Sequence, residues 1–200
     1  MDLNFTIKDI YADKLDKIKL PCANCTYWLD ASRLSLFDDI NLNTSIWQLF
    51  KSKFFELKNL ANKKKFLNFI IENGGIVKAA FSNKKCVGML VAGKYYYFQK
   101  LKFFKFYPPD PESIFLTCLY VLPEYRNLGI GKKLLIALEK DLIKNRVKSI
   151  EAVCKRLDDD TVIEDYINSP IIPVKFLIKN GFYIKQNDVK YPLLRLDMSS

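Results

Sequence analysis

The spacing of apolar residues changes period several times along the chain, and each change marks an element. LNFTIKDI, near the start, alternates weakly between apolar and polar positions, the period of a half-buried strand. From about Thr44 to Asn73 the spacing turns helical. Ile46, Leu49, Phe50 and Phe54 share one stripe and Phe66, Phe69 and Ile70 another, which predicts two helices, the first capped by Thr44 or Ser45 and the second ended by Gly74 and Gly75. GIVKAAF and CVGMLVAGKYYYF are β-rich runs divided by SNKK, a turn sequence, and predict a hairpin. FQKLKFFKFYPPDPES carries Pro108, Pro109 and Pro111 and predicts an exposed loop or lid. SIFLTCLYVL is apolar on both faces, as a central strand is. A helix from about Gly131 to Asn145 turns Leu134, Leu135, Leu138 and Leu142 inward. KSIEAVCKR then reads as a strand, PVKFLIKNGF as a short helix stopped at Gly181, and FYIKQ and YPLLRLDM as closing strands. The order β, α, α, β, β, β, α, β, α, β, β implies an α+β (mixed α/β) fold, a largely antiparallel central sheet flanked by helices with one βαβ crossover. With no repeat or linker, residues 1–200 read as one domain.

Composition narrows the chemistry. The net charge of +10 suggests a nucleic-acid partner, but the basic residues are mostly scattered lysines, and only Arg33, Arg126, Arg146, Arg156 and Arg195 are arginines. Bidentate readers of phosphates and bases are usually Arg, so the composition favours a solvated surface over a nucleic-acid surface. KYYYFQKLKFFKFY could stack bases, yet it reads better as a strand with one buried face that runs into the proline-rich loop. There is no histidine, which removes Ser-His-Asp and Cys-His catalysis and His-ligated metals. The five cysteines are odd in number, and the start of the chain resembles no signal peptide, so the expectation is a cytoplasmic protein without a disulfide framework or membrane span. Cys22 and Cys25 form one C-x-x-C pair in PCANCTYW, open to redox use, half a metal site or simple packing. Cys86, Cys118 and Cys154 sit in apolar, strand-like surroundings.

One stretch departs from what a plain soluble domain needs. In YVLPEYRNLGIGKKLL, Lys132 and Lys133 fall in the first turn of a helix, where unpaired N–H groups already carry the positive end of the dipole. An anion bound in the turn reverses that penalty, and Gly129 and Gly131 let the backbone bend towards it. Taken alone, R-x-x-G-x-G is a weak signal; it is neither a P-loop nor a dinucleotide fingerprint.

The whole run LYVLPEYRNLGIGKKLL resembles the acetyl-CoA-binding motif of the GNAT N-acetyltransferase superfamily. There a strand ending V-x-P-x-[YW]-R leads into x-x-G-x-G and a helix. VKFLIKNGF resembles the superfamily's late F-[YL]-x-x-x-G-F segment, and PCANCTYW resembles the N-terminal segment of some bacterial members. The match covers roughly residues 76–197.

The resemblance implies that the backbone of Leu119, Tyr120 and Val121 pairs with the pantetheine arm and lies near the thioester carbonyl. It further implies that Arg126, Asn127, Leu128, Gly129, Ile130, Gly131 and Lys132 cradle the pyrophosphate. The expected activity is acetyl transfer from acetyl-CoA, with no metal, to a small-molecule or peptide amine in a ternary complex. Leu177 occupies the position where many members carry an acid tyrosine, leaving Tyr120, Cys118, Tyr166 and Tyr183 as stand-ins. Glu112 and Glu151 are the carboxylates available as general base. An acyl-CoA-binding protein without catalysis, or a basic nucleic-acid-binding module, are the alternatives. The protein is expected to be a monomer or a homodimer, the latter pairing through the last strand.

Overall fold

The computed structural model describes residues 5–23, 25–29, 46–156 and 171–198, and the backbone alone for residues 46–56. β1 (Phe5–Asp9) is followed by a helical turn α1 (Ala12–Leu15) and by α2 (Ile46–Glu72). The region expected to hold two helices is one 27-residue helix. No proline or glycine interrupts residues 46–72, so nothing in the backbone ends the first piece. Its buried stripe is Lys63, Leu67 and Ile70, at the i, i+4, i+7 spacing of one helix face. Phe69, assigned to that stripe from sequence, stays half exposed against Tyr97, with ring centroids 5.4 Å apart. Thr44 and Ser45 lie outside the described residues. At the other end the Gly75 N–H donates to the Ile70 carbonyl at 2.8 Å, and Gly74 adopts φ +80°. A Cβ on Gly75 would fall 2.4 Å from Ile70 Cγ2.

β2 (Ile76–Ser82) and β3 (Lys85–Gly93) form the expected hairpin, closed by Asn83 and Lys84, both at positive φ (46° and 68°). That is the conformation of a two-residue type I′ turn. β3 stops at Gly93, however, and Tyr95–Tyr97 and Gln99–Phe103 are 3₁₀ turns rather than strand. Phe98 and Leu101 are buried three residues apart, the 3₁₀ period, and a Cβ on Gly93 would meet the Tyr97 ring at 3.1 Å. Local aromatic packing thus overrides β propensity in this segment.

β4 (Ile114–Val121), α3 (Ile130–Lys144), β5 (Ser149–Lys155), the two-residue β6 (Ile172–Pro173), α4 (Val174–Ile178), β7 (Tyr183–Gln186) and β8 (Leu193–Asp197) complete the order. The α+β fold expected from the pattern is observed: an eight-stranded mixed sheet, mostly antiparallel, ordered β1-β2-β3-β4-β5-β8-β7, with β6 paired to β5. β8 lies between β5 and β7, so the last strand is not a free edge for dimer pairing; β1 and β7 are the edges. One face of the sheet packs Leu67, Ile70, Phe98, Leu101 and Phe106 against Phe115 and Cys118. The other packs Leu134, Leu135, Leu138 and Leu142 of α3 with Leu177 and Phe182. Lys78, buried inside the sheet, ties β1 to α3 through ion pairs to Asp9 and Asp141, each 2.5 Å long. Among the described residues no helix is long and apolar enough to cross a membrane.

Two irregularities prepare the site. The β3–β4 register shifts between Val91 and Ala92, leaving Thr117 out of the ladder, with its hydroxyl on the Val91 carbonyl at 3.1 Å. Parallel β4 and β5 pair only at Ile114–Ile150 and Phe115–Glu151. Beyond Phe115 the strands part, while β6 lies on β5 at Cys154 and Lys155.

The hairpin supplies a stability test. Lys84 holds a left-handed conformation that costs an L-residue roughly 1–2 kcal/mol, and glycine avoids that cost while losing part of it to chain entropy. Lys84→Gly is expected to stabilise the protein by about 0.5–1 kcal/mol in urea unfolding.

Candidate functional site

Where β4 leaves β5, a cavity of about 310 Å³ opens. Its walls are Leu119, Tyr120 and Val121 from the end of β4, the turn Tyr125 to Asn127, and Gly129 to Lys132 at the start of α3. Ile171 to Pro173 and Phe176 of α4 close the far side. Of the residues expected from sequence to form a cradle, all but Leu128 line this space; Leu128 turns its side chain outwards, 40% exposed.

The turn is built as an anion cradle. Gly129 is the N-cap residue at φ 76°, with no side chain capping the helix, and Asn127 also takes a positive φ of 62°. The Lys133 N–H reaches the Gly129 carbonyl at 3.0 Å, while no described residue accepts from the Ile130, Gly131 or Lys132 amides. No acidic residue sits in the first turn, and the charged residues of the lining are Arg126 and Lys132, both cationic. Arg126 Nε donates to the Val121 carbonyl at 3.0 Å, and its guanidinium lies 5.7 Å from the Tyr120 ring centroid, so it bridges strand and turn. Lys133, expected beside the anion, turns away and places its ammonium 4.2 Å from the Phe5 ring centroid.

The two glycines divide the work differently from the expectation that both bend the chain. Gly129 supplies the left-handed conformation and has open space around it. Gly131 supplies clearance: a Cβ there would meet Leu119 and Phe176, each at 3.2 Å. Gly131 therefore lets α3 close onto β4 and α4.

The proposed acid and base residues are scattered. Tyr120 lines the cavity, and burial raises its phenol above the ordinary value, with Arg126 opposing, so it keeps its proton through neutral pH. Cys118 is buried, its thiol pushed up to about 12 by burial. Tyr183 is exposed and donates to Asp197 at 2.8 Å. Tyr166 lies outside the described residues. Leu177, in the tyrosine position, is core.

Glu112 is an exposed carboxylate paired with Lys148 at 3.0 Å. Glu151 is fully buried, and its oxygens are taken by Lys185 Nζ at 2.5 Å, Arg195 Nη1 at 2.9 Å and the Asp110 N–H at 3.1 Å. Neither glutamate borders the cavity. Glu151 sits instead where β4 and β5 still pair, as the internal counter-ion of two cations. The same Arg195, by hydrogen bonding, holds the Asp110 carboxyl below its usual range. Sequence alone could not separate these roles, because a Glu on a strand reads alike as base or as counter-ion. Tyr125, Ile171, Ile172, Pro173 and Phe176 were not anticipated as wall residues, although Phe176 belongs to the late F-x-x-x-x-G-F segment already noted.

The sequence model of the Acetyltransferase (GNAT) family matches residues 43–166. The chain belongs to that family. Among curated proteins, none matches. Solved structures similar in fold include the PaiA N-acetyltransferase of Thermoplasma acidophilum in complex with coenzyme A. It is 16% identical, with a TM-score of 0.56 over 97% of this chain and 99% of that one. An acetyltransferase of Thermus thermophilus is 14% identical, with a TM-score of 0.55 over 98% and 97%. A protein described as a streptothricin acetyltransferase of Bacillus anthracis, in complex with acetyl coenzyme A, is 14% identical, with a TM-score of 0.55 over 98% and 99%. At these identities the likeness is one of fold, and the GNAT fold is that of this chain. No group of three metal-ligating side chains occurs among the described residues.

Glu151→Gln is expected to lower stability by about 2 kcal/mol, because it leaves the Lys185 and Arg195 charges short of a partner. Acetyl transfer per folded molecule is expected to stay within about twofold, a change of less than about 0.5 kcal/mol in barrier. Urea unfolding and an activity assay normalised to folded protein check the pair of outcomes.

Proposed function

We propose that the protein is an N-acetyltransferase that passes the acetyl group of acetyl-CoA directly to a primary amine while both are bound. The observation that carries this reading is the cationic, uncapped amino end of α3, open to a cavity beside the unpaired half of β4. A diphosphate suits such a turn: free amides, a left-handed glycine and two cations meet where no carboxylate competes among the lining residues.

In this reading the amides from Gly129 to Lys132, with Arg126 and Lys132, hold the diphosphate of the acyl carrier. The edge of β4 at Leu119 to Val121, which β5 leaves unpaired, receives the extended arm as an added strand receives its neighbour. Acetyl-CoA brings the activated thioester. On the protein side, Tyr120 holds a proton on Oη at the cavity wall, the property required of a group that donates one. Ile172, Pro173 and Phe176 exclude water opposite the turn. With no carboxylate among the lining residues, the amine gives its proton to solvent, and the rate should rise with pH as the free amine accumulates. The acceptor is a small-molecule or peptide amine.

Calorimetric titration with CoA tests the cradle, and release of free CoA over a panel of amines tests the transfer. Arg126→Glu and Gly129→Asp are expected to weaken CoA binding by at least about tenfold, since each sets a negative charge against the diphosphate. Both variants should keep the wild-type circular dichroism spectrum; unchanged affinity would contradict the assignment. Tyr120→Phe is expected to lower kcat by about 10²-fold, the usual scale of a lost proton donor, with CoA affinity unchanged. Binding of CoA with no release of CoA by any amine would instead favour an acyl-CoA-binding protein, a reading that Leu177 supports.

A further inference from the structure

The C-x-x-C pair is untouched by the acetyl-transfer reading, and the structure gives it surroundings of its own. The Cys25 N–H donates to the Cys22 carbonyl at 3.2 Å, so the two residues end a tight turn, and the ends of such turns lie under about 7 Å apart. That overlaps the Cα separation of about 4.4–6.8 Å that a disulfide spans. Cys22 and Cys25 are partly exposed, whereas Cys86, Cys118 and Cys154 are buried. Cys22 packs inwards on the core cluster that contains Leu67, Phe98 and Cys118.

Within electrostatic reach of Cys22 is Lys63 of α2, 3% exposed and on the buried stripe of α2 with Leu67. Among the described residues, the anions-in-waiting that raise the Lys63 ammonium are thiols, those of Cys22, Cys118 and Cys25. Among the described residues no carboxylate pairs with this buried ammonium, a costly state, and a thiolate is the anion these cysteine neighbours can offer.

We propose that Cys22 and Cys25 are a reversible thiol–disulfide exchange site, with Lys63 as its built-in counter-ion and a low-molecular-weight disulfide as oxidant. The more outward Cys25 thiolate attacks one sulfur of the small disulfide, forming a mixed disulfide and expelling one small thiolate. The Cys22 thiolate, paired with Lys63, then attacks the Cys25 sulfur. The protein disulfide forms and a second small thiolate leaves. Two protein thiols are oxidised, one small disulfide is reduced to two thiols, and the two protons released by Cys22 and Cys25 end on those thiols.

Burial raises the Cys22 thiol above its ordinary value, and Lys63 pulls it down. Among the described residues, the other ionisable groups within electrostatic reach of Cys22 are Cys25 in the turn, Cys86 on β3, and Cys118 and Tyr120 on β4. Lys63 thus acts through Cys22, as a positioning residue for the second step. The core cluster holding Cys22 lies on the face of the sheet opposite α3, so closure of the ring leaves the amino end of α3 unchanged.

The test is incubation of the native full chain with oxidised glutathione, followed by alkylation of remaining thiols and peptide mass analysis. The expected product links Cys22 to Cys25, with the peptide lighter by two hydrogen atoms, and dithiothreitol reverses it. Cys22→Ser is expected to stop with one glutathionyl group on Cys25. Lys63→Met is expected to slow loss of that group by about three- to tenfold, the effect of a thiol shifted by about one pKa unit on an exchange with a Brønsted slope near 0.5. It should also move the pH profile of Cys22 alkylation to higher pH, which a packing role alone would not do. The oxidised protein is expected to bind CoA with unchanged affinity. Free thiols at both positions in the folded protein, a bond from Cys22 to Cys118 instead, or loss of CoA binding on oxidation would each overturn the proposal. None of these readouts depends on acetyl transfer.

Discussion

A strand that loses its neighbour halfway must find other partners for its backbone, and β4 is that strand. It pairs with β5 for two residue pairs and then stands open along Leu119 to Val121. The rest of the architecture follows from holding this edge apart without collapse. β6 takes up the far end of β5, α4 sets Pro173 and Phe176 across the gap, and the Arg126 guanidinium covers the last carbonyl of β4. An open β edge inside a fold invites an extended partner, and the GNAT sheet presents it beside a helix terminus that attracts anions.

The charges serve this arrangement in separate places. Where β4 and β5 are still joined, Glu151 gathers Lys185, Arg195 and the Asp110 amide into a buried knot that fixes the start of the opening. Lys78 anchors α3 to β1 and β2 through Asp141 and Asp9. In each knot buried charges meet opposite partners. The turn before α3 stays cationic for want of any acidic residue in the first turn of α3 or in the cavity lining. The fully buried glutamate on β5 is thus enclosed by cations and lies outside the cavity lining.

Period and turn chemistry made much of the fold legible in the sequence. The hairpin at Asn83 and Lys84, the inward leucines of α3 and the alternation of strands with glycine-marked ends follow from local rules, and local rules hold where burial agrees with them. Prediction failed where packing from elsewhere decided. The aromatic run after Gly93 has β propensity, yet Phe98 and Leu101 bury themselves through 3₁₀ turns. The helix break expected within residues 44–73 lacks any residue able to make it. Among the described residues before β2 the two helices are not the expected two, because α1 was not anticipated and α2 is one helix. At the site, the motif drew attention to the residues that line the cavity because their chemistry is carried by backbone and glycine, which sequence displays directly. The surroundings of Glu112, Glu151 and the cysteines depend on contacts between distant segments, and no local pattern encodes them.

The proposed acetyl transfer depends on the free amides at the amino end of α3 holding the diphosphate of coenzyme A. A crystal structure of the protein with CoA tests it most directly. Diphosphate oxygens are expected about 2.7–3.2 Å from the amide nitrogens between Gly129 and Lys132, with the pantetheine arm alongside Leu119 to Val121. A diphosphate bound anywhere else on the molecule, with this turn in contact only with solvent, would contradict it.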